Sequence, residues 1–254
     1  MAAVALVAGG EVGIALRLGV SMTALQASIG AINDLHDADA DAGHKPGKPI
    51  PAGLVSIAVA RSVALGAAAV GVGLAATVGT VVTALALVSL AVGYGYDLLA
   101  KGTAWSWIPF AVGIPILPIY GWVGAVGSLP SLFQILVPMA LIAGAALAIS
   151  NARVDVERDA ATKTTSIATR LGLESSWRVH AAMWVVVVVL ALGWLVQAGV
   201  PGDRWLAVVA AASGLAVGVI AGRNGDAAER ERAWRIEAIT IALALVAWLL
   251  AILL

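Results

Sequence analysis

Two short stretches of the chain carry an asparagine followed by two aspartates at a fixed spacing. In both, the order is Asn-x-x-x-Asp-x-x-x-Asp. Residues four apart lie on the same face of an α-helix, so each stretch predicts a stripe of three oxygen-bearing side chains. One acidic segment of this kind is usually only solvated, whereas two copies with identical spacing indicate a site. The first stripe is Asn33, Asp37 and Asp41, and the second stripe is Asn151, Asp155 and Asp159.

Further carboxylates accompany both stripes, at Asp34, Asp39 and Glu157. If the two stretches converge, these groups crowd together, and cations must offset their repulsion. The chain contains no cysteine, and oxygen ligands without thiolates favour a hard cation such as Mg²⁺. Mg²⁺ typically takes one or two carboxylates together with water and phosphate oxygens. Two stripes that face each other could therefore hold two metal ions bridged by a diphosphate.

Basic residues follow each stretch at distances of four to eleven positions. Lysine serves as a mobile point charge for phosphate groups, so this arrangement predicts contacts with the same diphosphate. The residues concerned are Lys45 and Lys48 after the first stripe, and Lys163 and Arg170 after the second.

The elements that position these residues are predicted to be membrane-spanning helices. The chain is 61% hydrophobic and 12% charged, about half the charge of a typical soluble domain. Apolar stretches of about 20 residues cross a bilayer core of roughly 30 Å as helices. We therefore predict an all-α, polytopic membrane bundle that binds no nucleic acid. Its eight predicted spans are 12–32, 54–75, 77–96, 105–126, 130–150, 178–199, 204–222 and 234–254.

Most of the charge falls on one side of these spans. Twelve of the fifteen Lys and Arg residues lie in or beside the segments 33–53, 97–104, 151–177 and 223–235. An excess of Lys and Arg marks the cytoplasmic side of a membrane protein. Both stripes lie on that side, at the ends of the first and fifth spans. We therefore expect a site at the cytoplasmic face of the cell membrane.

The two stretches are separated by four spans, and an even number places them on the same side. This predicts a parallel repeat within one domain over 1–254, with halves of about 1–104 and 105–254. Inverted repeats, which are typical of many transporters, would place the stretches on opposite sides. An ion-coupled transporter is therefore only a remote alternative.

The stretches resemble the motifs of the UbiA superfamily of intramembrane prenyltransferases. The first family motif has the form N-D-x-x-D-x-x-x-D, followed by basic residues and R-P-I-x-x-G, and residues 33–53 are similar to it. The second has the form D-x-x-x-D before a Thr/Ser-rich stretch that ends in L-G, as in residues 155–172. Tyr96 and Lys101 resemble a Tyr–Lys pair in the next cytosolic loop of the family.

This resemblance implies Mg²⁺-dependent transfer of a prenyl group from a polyprenyl diphosphate to a lipophilic acceptor, with an aromatic acceptor as the expected class. It also implies release of diphosphate and a tunnel that faces membrane lipid. The six stripe residues would bind two Mg²⁺ ions directly or through water. The four aspartates of the stripes would be catalytic. The diphosphate would be clamped by Lys45, Lys48 and Lys101.

Three further side chains are candidates for lining the cavity. Gln26 lies seven residues before Asn33 and hence on the same helical face, although a hydrogen bond to a neighbouring helix is an equally good prediction for it. Tyr96 belongs to the Tyr–Lys pair, and Trp107 follows the same loop.

Three features depart from the family pattern. Lys45 and Lys48 stand where the family usually has arginine, which loses bidentate contacts with phosphate. Lys163 stands where the second motif usually has glycine. The family has nine spans and this chain shows eight; by register the missing one is the first, which helps to line the acceptor site. The missing first span leaves a membrane terpene cyclase as an alternative. In such an enzyme, the carbocation formed from the prenyl diphosphate is captured within the same substrate molecule, and no acceptor is needed.

Overall fold

The structure is a computed structural model that describes residues 1–43 and 47–253. Within these residues, eight helices are long and apolar enough to cross a membrane, which confirms the predicted polytopic all-α fold. The α-helices of the described chain are α1 (Ala2–Val7), α2 (Val12–Asp41), α3 (Ile57–Ala76), α4 (Thr80–Gly95), α5 (Trp107–Val126), α6 (Phe133–Val154), α7 (Val156–Ala161), α8 (Ile167–Leu171), α9 (Leu173–Gln197), α10 (Leu206–Ala221) and α11 (Ala227–Leu253).

The spans overlap their predicted positions, although α2 continues to Asp41 and α11 begins at Ala227. Two of the spans carry short irregular turns. A π-helical turn at Tyr96–Ala100 extends α4, and a 3₁₀ turn at Gly202–Trp205 precedes α10. Leu65 and Val189, near the middle of their spans, are 73% and 61% exposed, as expected for side chains that face lipid. The protein is therefore a multi-pass membrane protein.

The chain forms two compact units. One comprises Met1–Lys101 together with Ile116–Leu129, and the other comprises Gly102–Pro115 together with the chain from Pro130 onward. Helix α5 contributes its first half to the second unit and its second half to the first. Each unit carries one of the two stripes.

In the first unit, side chains of α2 pack on glycines of its neighbours. Leu25 lies against Gly71 of α3, and Ile29 lies against Gly93 of α4; a Cβ at either glycine would come within 3.0 Å of that side chain. Small residues let helix backbones approach closely in a membrane, where no hydrophobic force drives helices together. These contacts hold the helix that carries the first stripe.

Two serines of α2 make buried polar contacts in the same unit. Ser28 Oγ donates to a carbonyl oxygen of α3 at 2.6 Å and lies 2.7 Å from the Tyr94 hydroxyl of α4. Ser21, two turns earlier, donates to another α3 carbonyl at 2.6 Å and lies 2.6 Å from the Tyr120 hydroxyl of α5. Because each serine uses its proton on a carbonyl, each tyrosine donates to the serine oxygen. The two pairs fix the rotation of α2 about its axis.

The second unit is built around α6, which packs on α9 and α11. Gly144 of α6 lies directly against the Phe110 backbone in the first half of α5, where any Cβ would collide with the carbonyl. The apolar core includes Leu147 of α6, Trp184 of α9 and Leu215 of α10. Buried polar side chains gather at the end of α6 that leads into the second stripe.

Candidate active site

The first stripe stands on one continuous helix. Asn33, Asp37 and Asp41 occupy the last turns of α2, and Asp41 is both its final residue and buried. The helix ends there because Ala42 is extended, with ψ of 122°; Gly43 then adopts a left-handed conformation with φ of 77°, which glycine tolerates. Asp39, on the same segment, is exposed. The predicted stripe is therefore present as an extension of the first membrane helix.

Lysine side chains lie against the carboxylates of this segment. Lys101, which follows the π turn, forms a close ion pair with Asp37, and Lys48 forms one with Asp34. Burial lowers the pKa of Lys48, but the hydrogen bond to Asp34 and the charges of Asp34, Asp41 and Asp37 outweigh it, so the net pKa is raised. Lys48 therefore carries its charge at neutral pH. The predicted Lys45 lies outside the described residues.

A further aspartate, absent from the predicted site, contacts the first stripe. Asn33 Nδ2 donates to Asp97 Oδ1 at 2.7 Å. Asp97 lies in the π turn and is 1% exposed. The contacts Asn33–Asp97 and Asp37–Lys101 each join residues 64 positions apart, so the end of α2 and the extension of α4 run side by side in the same direction.

The second stripe differs from the prediction, because its helix is interrupted. Asn151 lies on α6, Asp155 is the single residue between α6 and α7, and Asp159 lies on α7. The cause is Arg230, whose Nε donates to the Arg153 carbonyl at 2.6 Å. In an uninterrupted α-helix, that carbonyl accepts the amide hydrogen of the residue four positions later. The stripe is thus divided between the end of the long helix α6 and the short helix α7.

Two buried arginines anchor this break. Arg153, 1% exposed, donates to the carbonyls of Gly222 at 3.0 Å and Arg223 at 3.1 Å, in the loop before α11. Arg230, 3% exposed, also donates to Glu157 at 2.5 Å. Both guanidinium groups are therefore structural, and Asp155 instead pairs with the partly exposed Arg158 at 3.2 Å.

A buried carboxylate joins three helices immediately before the second stripe. Glu237 of α11 is 1% exposed and accepts hydrogen bonds from Trp184 Nε1 at 3.0 Å and Ser150 Oγ at 3.2 Å. His180 Nε2 lies 3.5 Å from the same carboxylate. Because Ser150 directly precedes Asn151, this cluster holds the end of α6 from which the stripe begins.

The remaining predicted residues have varied surroundings. Lys163 follows α7, is exposed and has a positive φ of 57°, a conformation that glycine adopts without strain. Arg170 is exposed in α8. Gln26 is exposed on α2 and donates to the sulfur of a methionine one turn earlier at 3.7 Å. Tyr96 and Trp107 are half-buried, at the start of the π turn and of α5. Their roles stay predictions.

Comparison with known families decides what kind of protein this is. The model of the UbiA prenyltransferase family matches residues 1–243, almost the whole chain. The chain belongs to this family. This UbiA protein is accordingly a membrane prenyltransferase, as the resemblance of its motifs implied.

Its relatives agree with this assignment. A digeranylgeranylglyceryl phosphate synthase of Methanopyrus kandleri is 33% identical over 190 residues, which cover 73% of the UbiA chain and 68% of the relative. The structure of a UbiA homologue from Aeropyrum pernix K1 superposes with a TM-score of 0.75 at 17% identity, over 96% of this chain and 93% of that one. A UbiA homologue from Archaeoglobus fulgidus, bound to GPP and Mg²⁺, gives a TM-score of 0.73 at 18% identity, over 97% and 93%. These structures share the fold.

Proposed function

We propose that this protein transfers a prenyl group from a prenyl diphosphate to a lipophilic acceptor in a Mg²⁺-dependent reaction that releases diphosphate. The observation that carries the proposal is the placement of Lys48 and Lys101 against the carboxylates of α2. Carboxylates of α2 that can bind a cation lie beside ammonium groups from other segments that can bind phosphate. A metal-chelated diphosphate needs both kinds of group.

The donor atoms fit Mg²⁺. Asn33, Asp37 and Asp41 supply amide and carboxylate oxygens, the ligands that this cation prefers. We assign the second stripe the same role and expect two ions. In the described residues, no three acidic or histidine side chains already converge on one point. Because the Lys101 ammonium group pairs with Asp37, it competes with a cation for that carboxylate.

The lysines have a second task once they leave the carboxylates. An ammonium group released from Asp37 can bind a phosphate oxygen, and Lys48 is close enough to the same helix to do likewise. Their charge then stabilises the negative charge that grows on the departing diphosphate as the allylic C–O bond breaks. When bound, Mg²⁺ neutralises the diphosphate and makes it a better leaving group.

For the acceptor, the names of the relatives favour a lipid glyceryl phosphate. The product named for the Methanopyrus kandleri relative carries two geranylgeranyl groups on a glyceryl phosphate. A glyceryl phosphate that already carries one prenyl chain is therefore the first acceptor to test, and aromatic acceptors are the second class. Both are lipophilic, so the membrane supplies them. The excess of Lys and Arg beside the stripes supports a reaction at the cytoplasmic face.

An acceptor panel tests this proposal. Purified protein is incubated with Mg²⁺ and prenyl diphosphates of increasing length, with geranylgeranylglyceryl phosphate, with aromatic acceptors, or with no acceptor, and products are identified by mass. We expect a prenylated acceptor and diphosphate only when both substrates are present. A hydrocarbon or alcohol product formed without any acceptor would instead indicate a cyclase. Cation flux across proteoliposomes without diphosphate release would indicate a transporter.

Single substitutions test the stripes. Asp37→Ala and Asp155→Ala should each reduce turnover by at least about 100-fold, because they remove ligands of the cation that binds the leaving group. The matched controls are Asp39→Ala on the same segment of α2, where the side chain is exposed, and Glu231→Ala on α11, where it is partly exposed and pairs with Arg235. Near-normal Mg²⁺-dependent turnover in both stripe variants would overturn the metal assignment.

A further inference from the structure

Asp97 is a buried carboxylate with one partner and one free oxygen. Its side chain is 1% exposed, and Oδ1 accepts from Asn33 Nδ2 at 2.7 Å. Within the described residues, no hydrogen-bond donor reaches Oδ2. A buried acidic side chain without a full set of hydrogen-bond partners costs free energy, so its presence needs an explanation. The contact that Asp97 does make is with a residue of the first stripe.

The π turn is what brings Asp97 to this position. In it, the Lys101 amide donates to the Tyr96 carbonyl five residues earlier at 2.8 Å, one residue more than in an α-helix. Asp97 then contacts Asn33, and Lys101, one turn later, contacts Asp37. Turns of this kind occur frequently at functional sites. The end of α4 thus presents a matching pair of side chains to the first stripe.

The contact discriminates between the two ends of the Asn33 amide. The amide oxygen can bind a cation, whereas the NH₂ group of similar size can only donate hydrogen bonds. A carboxylate oxygen is an acceptor, so it holds the NH₂ group and leaves the amide oxygen available. Without such a partner, the amide could turn by 180° and present two N–H donors to the cation.

We propose that Asp97 is a positioning residue that fixes the Asn33 side chain with its amide oxygen available as a ligand for the cation of the first stripe. This inference rests on the proposed function, because it assumes that the first stripe binds a divalent cation. It adds a residue from a different helix to the machinery of that site. Asp97 itself does not touch substrate or cation in this proposal.

The test is Asp97→Asn, which keeps the shape of the side chain but can donate as well as accept. We expect the affinity for Mn²⁺, measured by electron paramagnetic resonance on purified protein, to fall about tenfold, as is common when a residue behind a metal ligand is changed. In turnover, the Mg²⁺ concentration for half-maximal activity should rise by a similar factor. The rate at saturating Mg²⁺ should stay close to that of the wild type, because the ligand itself is still present.

A double-mutant cycle separates positioning from a general effect of charge. In an Asn33→Ala background there is no amide to orient, so Asp97→Asn should produce no further loss of Mn²⁺ affinity. Ser21→Ala, a buried polar substitution elsewhere on α2, is the control for lost stability and should leave Mn²⁺ affinity unchanged.

Two results would overturn the inference. One is wild-type Mn²⁺ affinity in Asp97→Asn. The other is an equal loss of Mn²⁺ affinity from Asp97→Asn whether Asn33 is present or replaced by alanine. That result would show that Asp97 acts only through its charge. A wild-type protein that binds no Mn²⁺ and shows no Mg²⁺-dependent turnover would contradict the proposed function itself.

Discussion

Replacing Lys101 by methionine should change two affinities in opposite directions. Lys101 forms an ion pair with Asp37, and the two side chains are only 27% and 15% exposed. A cation that binds Asp37 therefore competes with an ammonium group, whereas a diphosphate gains from it. Methionine keeps an unbranched side chain of similar length and removes the charge. Lys101→Met should bind a divalent cation more tightly and prenyl diphosphate more weakly.

The size of both effects follows from the burial of the ion pair. A fully exposed ion pair contributes less than about 1 kcal/mol, but a hydrogen bond to a charged group shielded from water contributes roughly 1.5–3 kcal/mol. A factor of ten in affinity corresponds to about 1.4 kcal/mol. Mn²⁺ binding without diphosphate should therefore tighten by roughly 10- to 100-fold. The KM for prenyl diphosphate should rise by a similar factor, because a contact of the same kind is lost.

Two measurements check these signs. Mn²⁺ affinity is obtained by electron paramagnetic resonance without diphosphate, and the KM for geranyl diphosphate is obtained at saturating Mg²⁺. Lys48→Met is the matched control for cation affinity, because it removes the same charge near α2 but its partner, Asp34, lies off the stripe. Weaker Mn²⁺ binding by Lys101→Met would refute the competition. Equal tightening by both variants would show a general effect of charge instead.

Two further substitutions test features of the second unit. Glu237→Ala removes the acceptor of two buried donors and should destabilise the protein by about 3 kcal/mol. Glu237→Gln keeps an acceptor oxygen and should lose less than half of that stability. Equal drops in the thermal unfolding temperature of the two variants would contradict this account. Lys163→Gly should increase stability by about 0.5 kcal/mol or more, because glycine adopts a positive φ without strain. The same variant should raise the KM for prenyl diphosphate several-fold, and an unchanged KM would remove Lys163 from the diphosphate site.

The membrane helices could be predicted from sequence because bilayer thickness sets their length. The span predicted at 105–126 is observed as Trp107–Val126, and the one predicted at 12–32 begins at Val12 as expected. Its continuation to Asp41 follows from the helical spacing of the first stripe. Spacing also predicted the second stripe, but not its interruption at Asp155. That break depends on Arg230, 77 positions from the carbonyl that it contacts.

Asp97 shows why the first stripe was only partly predictable. Its contact with Asn33 depends on a turn that inserts one residue into the helix, and hydropathy carries no information about such a change of register. Arg153 and Arg230 were interpreted as part of the cytosolic charge, since counting charges by loop cannot tell a solvated arginine from a buried one. Glu237 did leave a signal: an ionisable residue inside an apolar span is a candidate for a role by itself.

The serine–tyrosine pairs of the first unit have a consequence for how the protein is made. A nascent chain emerges from its N-terminus, so Ser28 meets Tyr94 as soon as α4 enters the membrane. Ser21 has to wait for Tyr120, which the ribosome reaches only after it has translated Gly102–Pro115 of the second unit. A chain that ended at Lys101 would contain Tyr94 but not Tyr120, so α2 would lack one of its two hydroxyl partners. Maturation of the first unit therefore finishes only after synthesis of the second has begun.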